Sequence, residues 1–154
     1  MTRVKPVRSD RGAGAATGEN LGFLLAKASQ HWNELLYQRF VAAGYPEVRP
    51  AYGSILIPLF EEDGLRMGEI ASRTRLSKQT MTTMVRLMER DGLVERRPDP
   101  GDGRASLVFL TERARDFRST VESTLAELDR LVVKTLTAGG RNQVRSALHL
   151  LADL

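Results

Sequence analysis

Ser77, Lys78, Gln79, Thr80, Thr82, Thr83 and Arg86 follow one another closely, and no carboxylate interrupts them before Glu89. Every one is a hydrogen-bond donor or a cation, so the set is suited to binding rather than to making or breaking bonds. In a major groove, hydroxyls and amides reach phosphates and base edges. A Thr methyl meets thymine, and Gln pairs bidentately with adenine. A carboxylate among them would be repelled by phosphate. A second basic cluster follows, in which Arg96, Arg97 and Arg104, with Asp102 between them, surround the turn formers Pro98-Asp-Pro-Gly-Asp-Gly103. Arginines displayed on a hairpin suit phosphates or a narrow minor groove.

Groups that could carry catalysis are sparse. The chain has no cysteine, which excludes disulfides, thiolate metal sites and cysteine redox sensing, and its two histidines, His31 and His149, are far apart, which speaks against a histidine-rich metal site. The densest acidic run, Glu61-Glu62-Asp63, stands beside Gly64 and reads as a solvated helix end. There is no phosphate loop and no dinucleotide fingerprint. No enzyme, cofactor or metal site is expected.

The elements that must hold these residues can be read locally. In the stretch Met67 to Leu76, Met67, Ile70, Ala71 and Leu76 share one face, as in a short supporting helix. Ser77 is an N-cap, and Lys78 to Arg90 forms a second helix with Met81, Met84, Val85 and Met88 on its inner face. Gly92 ends it from the C′ position. Leu93 to Arg97 and Ser106 to Leu110 then read as the two strands of a hairpin. Taken singly, the polar helix face is an ordinary solvated surface and the hairpin a charged edge. Their order, short helix, turn, polar-faced helix, basic hairpin, is that of a winged helix-turn-helix.

Amphipathic helices flank this centre. Residues 20 to 43 place Leu21, Leu24, Leu25, Ala28, Trp32, Leu35, Leu36 and Phe40 at helical spacing, and Gly44 closes the run. A shorter helix is expected from about Ala51 to Glu62, with Pro58 an awkward interior residue. From Thr111 a helix should run to about Leu136. Ala138-Gly139-Gly140 should break it before a last helix from Asn142 to Asp153. The terminal helices carry apolar surface that the centre is too small to cover. A second copy would bury it and set two reading helices about one DNA turn apart; a self-contained bundle is the alternative.

The fold expected is mainly α with a small β-wing. A winged helix-turn-helix domain over 50–111 is joined to dimerisation helices at 20–43 and 111–154. Residues 1–19, with Arg3, Lys5, Arg8 and Arg11 in a Gly/Ala/Ser setting, form a basic tail expected to be disordered. The net charge is +4 over 154 residues, and residues 66–118 hold 12 Lys+Arg against 8 Asp+Glu. No apolar run is long enough for a membrane span, and the first residues lack a signal peptide's apolar region, so a cytoplasmic location is expected.

From about Asn20 to Leu154 the chain resembles the MarR family of bacterial winged-helix regulators. The likeness is most specific from Met81 through Met88-Glu-Arg-Asp-Gly-Leu-Val-Glu-Arg-Arg97 and Asp99-Pro-Gly-Asp-Gly-Arg-Ala105 to Leu110-Thr111. Met88 stands where the family pattern has Leu, and Gly103 where it has the first wing Arg, which removes one DNA-facing cation. The resemblance implies that Asp102 steadies the wing while Arg104 reaches the minor groove. It also implies a homodimer, usually a repressor, on a pseudo-palindromic operator, read by the recognition helix 77–91 and wing 93–110. A small aromatic effector is implied in a cleft where, by analogy, His31, Trp32, Tyr37, Tyr52 and Leu56 would lie. Because a fold does not fix function, a winged-helix protein–protein interaction module without ligand response is the alternative.

Overall fold

A computed structural model describes residues 18–154; all but the last two residues of the expected basic tail lie outside the described residues. The helix α1 runs from Leu21 to Ala42, begun by Asn20, whose Oδ1 accepts the Phe23 N–H at 2.9 Å. It ends in a Schellman turn: Gly44 at φ 90° donates to the Val41 carbonyl, and Tyr45 donates to that of Phe40. The chain divides at Leu35/Leu36 into two units, the first ending within α1.

In the second unit, a 3-10 turn at Pro50–Tyr52 leads into α2, Gly53–Glu61. The helix expected from Ala51 to Glu62 therefore starts as a tighter coil. Pro50 sits where its missing N–H costs nothing. Pro58 does not break α2; it is buried with Ile55, Leu56 and Leu59, and this packing offsets the hydrogen bond it cannot donate. Gly64, at φ 72°, has to be glycine, since a Cβ there would meet the Phe109 ring at 2.6 Å.

Next come β1 (Leu65–Arg66), α3 (Met67–Thr74), α4 (Lys78–Arg90), β2 (Val94–Asp99) and β3 (Asp102–Leu110). The strands make an antiparallel sheet in the order β1-β3-β2, with Leu65 opposite Val108 and Val94 opposite Leu110. Strand β1 was not expected, because two residues give no periodicity to read. Beneath the sheet and α3–α4 lies a core of Leu59, Leu65, Ile70, Met81, Val85, Met88, Leu93, Val108 and Leu110, each at most 4% exposed. Phe117 extends it, meeting Phe40 edge-on at 4.8 Å.

The last helix, α5, spans Glu112–Ala152 and is capped by Thr111, whose side chain accepts the Ala114 N–H. It is interrupted at Thr137 (φ 66°, ψ 167°), not at Ala138-Gly139-Gly140. The physical reason lies in the side chain: Thr137 Oγ1 accepts the Gly140 N–H at 3.3 Å, an N-cap bond for the following segment that glycine could not supply.

Candidate nucleic-acid interface

The recognition segment is built by local rules. Ser77 Oγ accepts the Thr80 N–H at 3.1 Å and meets the Thr80 hydroxyl at 2.8 Å, starting α4 at Lys78. At the other end Gly92 (φ 74°) donates to the Glu89 carbonyl and Leu93 to that of Met88, a second Schellman turn that aims β2 away from the helix axis. Met81, Val85 and Met88 are at most 1% exposed, which fixes the rotation of α4. That rotation leaves Lys78, Gln79, Thr83 and Arg86 exposed. None of these four side chains has a hydrogen bond or ion pair among the described residues. Thr82 is half-buried and donates its hydroxyl to the Lys78 carbonyl at 2.8 Å, leaving its methyl and lone pairs for a ligand.

The C-terminal end of α4 is held from another direction. Tyr52, 2% exposed, donates its hydroxyl to Asp91 Oδ2 at 2.6 Å. Burial, reinforced by this neighbouring carboxylate, pushes the phenol up to about 12. The same hydrogen bond holds the Asp91 carboxyl below its ordinary range.

In the wing, the three expected arginines are in different states. Arg96 grips both oxygens of Glu89 on α4, at 3.0 and 2.9 Å. Arg97 pairs with Glu95 and lies 4.4 Å above the Phe109 ring. Arg104 is exposed, and its side chain has no partner among the described residues. Asp102 acts through the backbone: its Oδ1 accepts the Arg104 N–H at 3.0 Å. Between the start of α3, α4 and the base of the wing lies a cleft of about 670 Å3 whose lining includes Arg66, Lys78, Thr82, Arg96 and Arg104. A second concavity, of about 490 Å3, follows Lys78, Gln79, Thr82, Thr83 and Arg86 along α4. Of the sequence-expected residues, Lys78, Gln79, Thr82, Thr83 and Arg86 thus share one face of α4, with Arg104 joining Lys78 at the cleft, whereas Ser77 and Thr80 hydrogen-bond to each other in the cap and line neither concavity.

The residues expected by analogy to meet an effector are distributed differently. His31 is exposed and Trp32 half-buried on α1. Tyr37 is exposed and donates its hydroxyl to the Pro46 carbonyl at 3.1 Å. Tyr52 and Leu56 are each 2% exposed and belong to the core. Sequence reasoning passed over Arg66, Glu89 and Asp99, which hold the wing; their partners are seven to 33 positions away, where no local pattern connects them. Among the described residues no cluster of metal-ligating side chains occurs, and no helix is long and apolar enough to cross a membrane.

Comparison with known proteins matches residues 59–105 to the MarR family. The regulator TtmR of Methylorubrum extorquens (strain PA1) is 35% identical over 68 residues, which cover 44% of this chain and 35% of TtmR. The repressor NicR of Pseudomonas putida (strain KT2440) is 26% identical over 135 residues, 88% of this chain and 84% of NicR. Among solved structures, that of the repressor CouR bound to a 23-mer DNA duplex superposes with a TM-score of 0.73 at 26% identity, covering 88% of this chain and 94% of CouR. With the winged helix, the capped recognition segment and these likenesses together, the chain belongs to the MarR family of transcriptional regulators.

Proposed function

We propose that this regulator is a homodimeric repressor that reads a pseudo-palindromic operator, inserting α4 of each protomer into successive major grooves and laying Arg104 of each wing along the backbone or minor groove. The observation that carries this reading is the face of α4: Lys78, Gln79, Thr83 and Arg86 stand exposed with their hydrogen-bonding capacity unspent among the described residues. CouR, of the same fold, is described bound to a DNA duplex, and the likeness supports extending that partner to this chain. The apolar surface left exposed in the terminal helices supports a second copy as the other partner. Leu21, Phe23 and Leu24 are 42 to 58% exposed in the first unit; Leu131, Leu136, Val144 and Leu148 are 43 to 48% exposed in the second. Accordingly, residues 20–43 and 111–154 serve as dimerisation helices around the reading domain 50–111. A small aromatic acid is the effector class the family likeness suggests, and its binding would release the DNA.

The deciding experiment is a gel shift with the DNA flanking the protein's own gene, repeated with a panel of aromatic acids, alongside sedimentation of the free protein. Retarded duplex that weakens steeply with salt, bound by a sedimenting dimer, supports the reading. A monomer that ignores duplex DNA in dilute buffer overturns it and favours a protein-binding module. Retention of DNA by every acid in the panel removes the effector from the proposal.

A further inference from the structure

We propose that the ion pair between Asp99 and Arg66 is the tether that sets where the wing presents Arg104 to the duplex. This rests on the DNA-binding reading above.

The wing is thinly supported by backbone alone. Strand β1 pairs with β3 only at Leu65↔Val108 and Arg66↔Leu107, so from Ser106 outward the wing is a two-stranded ribbon. Its register is irregular between Pro98 and Asp99, where Asp99 comes to lie opposite Asp102. A two-stranded ribbon is marginal in water without further anchorage.

Asp99 supplies the anchorage. It is 8% exposed, although Pro98 and Pro100 to Arg104 are all exposed. Its Oδ1 accepts the Gly101 N–H at 2.8 Å and shapes the turn. Its Oδ2 takes no hydrogen bond and instead meets Arg66 Nη2 at 2.5 Å. The backbone of Arg66 is itself fixed, since its N–H donates to Glu69 Oε2 at 2.7 Å where β1 passes into α3, and its half-exposed side chain reaches from there to Asp99. The guanidinium therefore joins the first helix of the helix-turn-helix to the turn of the wing. An exposed pair would be worth little. Here one partner is buried, so losing the other strands a charge. Arg104 draws its position from that turn, because its backbone N–H is held by Asp102 and its side chain is held by nothing among the described residues. Asp99 and Arg66 are positioning residues acting through Arg104.

The test is a double-mutant cycle, read on a labelled duplex selected by the wild-type protein from a random library and titrated at several salt concentrations. Asp99→Asn keeps the turn's acceptor and its volume but discards the charge. It is expected to weaken binding about tenfold and to lower the salt slope by about one, as Arg104→Ala does. The double variant is expected to bind no worse than Arg104→Ala alone. Additive losses, or wild-type binding by Asp99→Asn, overturn the tether. Should Asp99→Asn lose its fold by circular dichroism, Arg66→Lys and Arg66→Met take its place, each also on the Arg104→Ala background. Affinity kept by Lys to within about threefold, lost by Met, and not lost again when Arg104 is absent upholds the tether; any other pattern overturns it. Failure of the wild-type protein to bind any selected duplex overturns the DNA-binding reading instead.

Discussion

Along α4, Lys78 and Arg86 face outward with no partner among the described residues, whereas in the wing Arg96 is gripped by Glu89 and Arg97 by Glu95, leaving Arg104 as the arginine without a partner there. An unpaired cation meeting a phosphate releases condensed counterions at no internal cost; a paired one must first give up its carboxylate. Basic residue counts would rank the two regions alike. Their internal pairing separates them: the helix is a prepared contact surface, and the wing is a scaffold that presents one cation.

The largest effect is expected from loosening the helix itself. Tyr52→Phe removes the hydrogen bond that holds Asp91 at the end of α4 and is expected to cost about 1–3 kcal/mol in denaturant titrations. It also carries a pH signature. Because the folded phenol titrates near 12 rather than its ordinary 10, its contribution is complete below pH 10 and is lost as the pH rises toward 12. Wild-type stability should fall across that window, and the Phe variant should lack this component of the fall. Arg86→Ala comes next, with about tenfold weaker binding on every duplex and a salt slope lower by about one. Gly103→Arg acts in the opposite direction, on the wing. Nothing lies within 4 Å of a Cβ built at Gly103, so an Arg there adds a second unpaired cation to the wing. Binding should tighten severalfold, with a slope steeper by about one. Smallest of all, Arg97→Ala should change affinity less than about threefold, since its charge is already answered by Glu95; a loss matching that of Arg86→Ala would erase the distinction between the regions.

The helix was legible from its residues and the wing's attachment was not, for a physical reason. Ser77 as cap, Met81, Val85 and Met88 as an inner stripe, and Gly92 as terminator all act within one or two helical turns, so spacing alone reveals them. The hydrogen bond from Tyr52 to Asp91 spans 39 positions, which is why an aromatic that reads as a ligand-stacking residue in the sequence is a strut in the structure. Arg66 with Asp99 and Glu89 with Arg96 are equally silent, because an Arg on a strand and an Asp in a turn look like solvated residues until topology brings them together. Strand β1 escaped notice for want of length. The interruption of α5 fell on Thr137 rather than on Gly139-Gly140 because side-chain capping outweighed backbone freedom.

That residue's conformation has an energetic corollary. Its dihedral pair falls in a region that residues bearing a Cβ avoid, at about 1–3 kcal/mol. The elbow therefore endures only while its surroundings reward the bend by more than that amount. A binding event that rewards the straightened rod by a comparable margin would redistribute the population between bent and straight without breaking any covalent or metal link.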